Sequence, residues 1–434
     1  MKIGIRVENK SEFERRSPFI PEDLADMKKH GVDVAVETCV KRAYANEEFE
    51  KAGIPVKDDL SDRDIIFGIK EVPIKSFVPG KIYVFFAHVI KGQSYNMAML
   101  KYMMENKITL FDYERIVDDK NRRLIFFGRH AGLAGMINTL WSLGQRLEVK
   151  GVPNPFTLVR QAKTYKDLDE ALKSVDALSD AIKKDGVSAG LNPLVFAFAG
   201  YGNVSKGAQE IFDRLPHVDV APSDLPALSE KKDIDPKVLY KVVFKEEDAV
   251  KPKDSGHAFS LQEYYKEGKK VYENAFAAYA AHVSVLVHCN YWDDRYPRLL
   301  TNDMVKSLWN KGEPKLLVIG DISCDPDGAV ECTVKSTDPG NPVFVYDPET
   351  GRALDGFTGR GPLIMAVDIL PTEIPRESST FFSSILKPYV PELASADYSV
   401  SFDELKIPAE WKRALILYHG ELTPDYTYLT DYLK

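Results

Sequence analysis

The chain has 434 residues, with 57 basic and 65 acidic side chains, a formal charge of −8, and 44% apolar residues. That length exceeds what one hydrophobic core usually serves, so two domains are expected. The interspersed charge argues against a nucleic-acid footprint or a basic membrane face, and no apolar run approaches the roughly 20 residues that span a bilayer.

In chain order, "KIGIRV" reads as a strand and "SPFIPEDLADMKKHG" as an amphipathic helix started by proline and closed by Gly31. "VDVAVE" is a second strand, followed by a polar helix near 46–53 and two more strands in "DIIFGIK" and "IYVFFAH". Strands separated by helices of this length predict a parallel sheet covered on both faces. The methionines of "SYNMAMLKYMMENK" stand at helical spacing and are expected in the core.

The pattern restarts at 155. Helices in "PFTLVRQAKTYKDLDEALKSVDALSDAIKKDG" precede "PLVFAFAGYGNVSKGAQEIFDRL", which reads as strand, glycine turn and helix. "VDVA" reads as the second strand of this region. Residues 229–270 are polar and rich in Lys and Glu, so a solvated surface insertion is expected there. "HVSVLVHCNYW" and "KLLVIGDIS" are two further strands, and "ALILYHGELT" reads as a last helix. Four cysteines without C-x-x-C spacing point to free thiols in a reducing compartment. No apolar secretory segment precedes the first strand, so a cytoplasmic or organelle-matrix location without a secretion signal is expected.

In "FAFAGYGNVSKG" the glycines Gly200 and Gly202 stand between an apolar strand and a helix. Such a turn lets the amides of Asn203, Val204 and Ser205 approach a pyrophosphate at the helix N-terminus. Ser205 replaces the third glycine of the usual fingerprint. The ribose-binding acid is expected at the end of the next strand, but "VDVAPSD" offers Ser223 there. Without an acid to repel a 2′-phosphate, NADP(H) is favoured and NAD(H) is left open.

Lys70 in "GIKEVP" and His88 in "FFAH" each follow a β run. In a parallel sheet, ligands bind at the carboxyl ends of strands, so the two could converge as a proton-shuttling pair. Each also has an ordinary reading, Lys70 as a solvated partner of Glu71 and His88 as a satisfied core histidine. Tandem arginines, Arg15–Arg16 and Arg122–Arg123, suit carboxylates, but in loops such pairs are more often solvated than ligand-binding.

Several stretches taken together, "ERRSPFIP", "GIKEVP", "FFAHVIKGQ", "LFDYERIVDDKNRR", "GYGNVSKGAQEIFDRLP", "NYWDDRYPRLLT" and "DILPTEIPRESSTFF", resemble the lysine–ketoglutarate reductase family. That family is often the reductase half of aminoadipic semialdehyde synthase. It is related more distantly to the lysine-forming saccharopine dehydrogenases and alanine dehydrogenase. The resemblance implies reductive condensation of L-lysine and 2-oxoglutarate to saccharopine. It makes Lys70 and His88 the proton shuttle, Glu71 and Glu114 the acids that tune it, Arg16 and Arg123 the carboxylate ligands, and Gln93 a cleft residue. Asn290 and Tyr291 are placed by it at the nicotinamide half of the cofactor, and Asp321 among the cofactor-binding residues at the domain junction.

It further implies an α/β fold of two Rossmann-like domains with parallel sheets. The catalytic domain is expected discontinuous, 1–140 plus 350–434, with a dinucleotide-binding domain at 141–349 inserted and a substrate cleft that closes during turnover. Only the lysine side of saccharopine would be made or broken, with no metal. Other opine-forming or amino-acid dehydrogenases, and a catalytically silent homologue, remain alternatives, and a homo-oligomer is left open.

Overall fold

The computed structural model describes residues 1–433. The chain divides into two compact units, one of Met1–Phe126 with residues 375 onward and one of Phe127–Ile374. The sequence reading placed the exchange points near 140 and 350. The helix Gly128–Val149 instead runs unbroken through 140. A strand at Leu363–Met365 extends the second unit's sheet past 350.

The strands in chain order are β1 (Ile3–Ile5), β2 (Val34–Glu37), β3 (Val56–Lys57), β4 (Ile65–Phe67), β5 (Ile82–Phe85) and β6 (Thr109–Asp112) in the first unit. The second unit holds β7 (Val195–Ala199), β8 (His217–Asp219), β9 (Leu239–Phe244), β10 (Val250–Pro252), β11 (Tyr272–Asn274) and β12 (Val285–His288). It continues with β13 (Val318–Asp321), β14 (Val343–Asp347), β15 (Arg352–Asp355) and β16 (Leu363–Met365), and the chain returns to the first unit with β17 (Leu415–Tyr418) and β18 (Glu421–Leu422).

The first sheet has the order β18-β17-β6-β5-β4-β1-β2-β3. Its strands are parallel from β6 to β3, and β17 is antiparallel to β6. Parallel strands covered on both faces need apolar side chains on both, and β1, β4, β5 and β6 are buried throughout. The helix Ser94–Glu105 turns Met97, Met99 and Met103 into this core, as its spacing predicts. "ALILYHGELT" is a hairpin, not a helix: β17 and β18 pair across His419 and Gly420, both at positive φ, 51° and 84°. Two consecutive positive φ angles are the type I′ turn that matches strand twist, and four apolar residues are too few for period alone to choose.

The second sheet has the order β15-β14-β16-β13-β12-β7-β9-β8, parallel from β8 to β16. Apolar clusters line both of its faces. Part of the stretch read as a solvated insertion is therefore wrong: β9 is a largely buried strand paired along its length with β7. The misleading residue is Lys241, which is buried because its Nζ meets the Asp213 carboxylate at 2.5 Å. Among the described residues, no helix is long and apolar enough to cross a membrane.

Candidate functional site

In the first unit, register sets the chemistry. Ile5 pairs with Phe67, Phe67 with Val84, and Phe85 with Asp112, so four adjacent strands end level with one another. The chain leaving them carries Glu8, then Lys70 and Glu71, then His88, then Asp112 and Glu114. His88 itself takes a left-handed backbone, φ 49°. That conformation costs a non-glycine residue about 1–2 kcal/mol and persists where surrounding structure holds it.

The support is visible. His88 Nδ1 and Glu71 Oε1 are 2.9 Å apart, and Asn96 Nδ2 donates to the carbonyls of Ala87 (2.9 Å) and His88 (3.2 Å). Burial works to raise the Glu71 carboxyl. The hydrogen bond from His88 and its charge, with help from Lys10, outweigh burial and hold it at about 2. An ionised Glu71 keeps a proton on Nδ1 and leaves Nε2 as the atom that can exchange one.

Lys70 is held by its backbone. The amides of Ile69 and Lys70 donate to the two oxygens of buried Glu8, at 2.7 and 3.0 Å, and burial raises the Glu8 carboxyl. Arg16 is buried, and its fork is engaged by Glu14, with Nε to Oε1 at 2.8 Å and Nη2 to Oε2 at 2.6 Å. Burial would raise Glu14, yet the Arg16 charge and hydrogen bonds leave it lowered. Arg123, about half exposed, reaches Glu114 Oε1 at 2.9 Å, and Gln93 accepts the Lys91 amide at 3.0 Å.

Sequence reasoning missed Glu8, Glu14 and Asp112. The first two lie in the loop after β1, where a strand end was the available signal. Asp112 closes the run "TLFD" and is fully buried; its Oδ1 accepts the Glu114 amide at 2.9 Å and its Oδ2 accepts no hydrogen bond. Burial pushes this carboxyl up to about 7.

In the second unit, β7 leads into the glycine turn and the helix Asn203–Phe212. Gly200 sits at φ +99°, and a Cβ there would fall 2.0 Å from Asn290 Oδ1. Its amide donates to Phe244 O at 3.0 Å, tying the turn to the end of β9. Gly202 caps the helix with open space around it, and Asn203 is exposed. Ser205 is buried and accepts from Gln209 Nε2 at 2.9 Å. Close helix packing falls to Gly207 and Gly132 instead. A Cβ on either would come within about 2 Å of backbone oxygen, Arg129 O and Val204 O respectively.

Tyr291 is 80% exposed with its hydroxyl 3.1 Å from Asp293. Asp321 is buried and used internally: it accepts the Cys324 amide (3.0 Å) and the Thr333 hydroxyl (2.6 Å), and meets His288 Nδ1 at 2.8 Å. Cys324 is buried, and burial pushes its thiol up. Ser223 is exposed beyond β8, the edge strand, which pairs with β9 and not with β7. At about 4.8 Å per strand, the end of β8 lies about 10 Å from β7. The strand flanking the glycine turn is β9. An exposed glycine turn at a helix start, with open space at Gly202, fits a dinucleotide, whose pyrophosphate Gly200, Gly202, Asn203 and Val204 would hold. Among the described residues no group of acids, histidines or cysteines could hold a metal ion.

The family model described as alanine dehydrogenase/PNT, N-terminal domain, matches residues 4–134. The chain is 37% identical to alpha-aminoadipic semialdehyde synthase of Arabidopsis thaliana over 98% of this chain and 41% of that protein. It is 27% identical to the saccharopine dehydrogenase [NAD(+), L-lysine-forming] of Emericella nidulans, over 90% of this chain and 92% of that one. The chain therefore spans less than half the length of the plant synthase. A solved L-alanine dehydrogenase, 15% identical, matches the whole of both chains with a TM-score of 0.63 and shares the fold. The likeness first read from motifs extends over nearly the whole chain.

Proposed function

We propose that this relative of the alpha-aminoadipic semialdehyde synthases and lysine-forming saccharopine dehydrogenases is an oxidoreductase. It joins the ε-amine of L-lysine to 2-oxoglutarate and reduces the imine to saccharopine, reversibly, in lysine breakdown. The observation that carries this is the Glu71–His88 pair at 2.9 Å, level with Lys70 at the end of the neighbouring strand.

The reaction needs such groups. Lysine's amine is protonated at neutral pH, with a reference pKa of about 10.4, so a base must take a proton before it can attack. The carbinolamine then needs an acid to lose water. His88 Nε2 exchanges both protons, because Glu71 holds the opposite nitrogen, and Lys70 is the second proton carrier. Arg123 pairs with substrate carboxylate, with Glu114 as the partner it leaves. Arg16 acts through Glu14, whose carboxylate already fills its fork. A nicotinamide dinucleotide on the glycine turn of the second unit supplies the hydride when bound.

The test is loss of the reduced-nicotinamide absorbance with purified protein, lysine and 2-oxoglutarate. Oxidation that requires both substrates is expected. Oxidation with a different amine or keto acid alone would move the reading to another opine-forming dehydrogenase. Bound dinucleotide without oxidation by any pair would end the enzymatic reading.

A further inference from the structure

The amino edge of the second sheet is the end that the dinucleotide reading leaves unused. β7, β12, β13 and β16 run parallel, so the glycine turn lies past their carboxyl ends and the residues just before Val318 and Leu363 lie at the other. A cavity of about 390 Å³ opens there, where the helices Gly128–Val149 and Asn302–Asn310 both end beside the loop 359–361. Cavities of this order hold small molecules.

Its charge is lopsided. Arg146, Lys150 and Arg360 line it, and Glu313 is the acid that faces them. Arg146 is 2% exposed, and its hydrogen bonds go to carbonyls: Nη1 to Phe357 O, and Nη2 to Gly359 O at 2.8 Å and Gly361 O at 2.9 Å. Its Nε is buried and donates to nothing. Burial pulls this guanidinium down from its ordinary value, and the Glu313 charge opposes that. Glu313 itself is spent on Lys150 with its side chain 72% exposed. A pair so exposed contributes no more than about 1 kcal/mol, so an incoming anion displaces it at little cost. Arg360 is exposed and gives Nη2 to Trp309 O at 3.1 Å, one of five N–H donors on its fork. The two helix C-termini together offset about one positive charge, and about one remains. Trp309, Pro314, Leu316 and Leu317 supply an apolar wall.

We propose that this cavity is a second ligand site, at the opposite end of the sheet from the glycine turn, and that it takes a small organic monocarboxylate with an apolar body. Lys150 and the Arg360 fork take the carboxylate oxygens, a geometry that guanidinium planes favour. Arg146 lends its uncompensated charge from behind, and the wall beside Trp309 takes the body. A phosphate dianion exceeds the charge left over and leaves the apolar wall wet. None of these residues has a part in the reaction proposed above, so the site stands or falls apart from it.

The experiment is calorimetric titration of the full chain with 3-phenylpropionate, with its uncharged counterpart 3-phenylpropan-1-ol and with inorganic phosphate. It is run on the wild type and on the double variant Lys150→Gln with Arg360→Gln, both surface positions. The wild type is expected to bind the carboxylate at least about tenfold more tightly than the alcohol or phosphate, and the double variant to lose at least about tenfold of that affinity with circular dichroism unchanged. No binding of the carboxylate, or equal binding of the alcohol, overturns the proposal, and tighter binding of phosphate overturns the ligand class. Carboxylate binding that survives in the folded double variant lies elsewhere, at arginines such as Arg123 of the first unit, and overturns it too.

Discussion

Asp112 gives the sharpest physical test of the first unit. Its carboxyl is fully buried at the end of β6, has one unpaired oxygen, and is raised from 3.8 to about 7, chiefly by desolvation. The nearby charges are Glu114, which adds to the rise, and His88, which opposes it; the hydroxyl of Tyr426, bonded to Arg115, also faces it. An acid raised in the folded state keeps its proton where the unfolded chain has released it. Folding stability therefore falls as pH climbs from about 4 to about 7 and is flat beyond.

At roughly 1.36 kcal/mol per tenfold change in proton affinity, the whole interval is worth at most about 4 kcal/mol. Between pH 5 and pH 8, about 2–3 kcal/mol of it remains to be lost. Asp112→Asn removes the titration. The amide that replaces Oδ2 is a buried donor at both pH values, so its penalty cancels in the comparison. Urea unfolding followed by circular dichroism should show the variant gaining about 2–3 kcal/mol relative to wild type between pH 5 and pH 8. A wild-type-to-variant difference that is the same at both pH values would refute the assignment of a buried, protonatable carboxyl.

Other outcomes follow from single contacts. His88→Gln and Lys70→Met should each lower turnover by roughly 10²–10⁴ while the NADH dissociation constant stays put; unaltered turnover in the double variant would remove both from the mechanism. Gly132→Ala drives a Cβ into Val204 O across two packed helices. A loss of about 1–3 kcal/mol or more in thermal or urea unfolding is expected, and a neutral result would mean the helices separate freely. All four cysteines are free and buried. Ellman's reagent should find them slow in the native protein and fast in denaturant, and a single rapid native thiol would contradict this.

Much of the first unit was legible because its signals are local. Short apolar runs between helices, Pro21 at a helix start and glycine beyond its end each act within a few residues. Lys70 and His88 could be placed at strand ends from the same pattern. The loops after those strands were legible only as places, since Glu8, which holds the amides of Ile69 and Lys70, comes from the loop after the neighbouring strand β1, 61 and 62 residues away in sequence. The second unit shows the limit more plainly. The sequence by itself determined that a strand, a glycine turn at Gly200–Gly202 and a helix follow one another. It could not determine which strand lies beside it, because strand order depends on long-range hydrogen bonding rather than on succession along the chain. Only the tertiary pairing of β9 with β7 brought Lys241 inside on an ion pair and left Ser223 beyond an edge strand. Local patterns fix what an element is; competition among distant backbone donors and acceptors fixes its neighbour, and in this protein it seats β9 rather than β8 beside the strand that leads into the glycine turn.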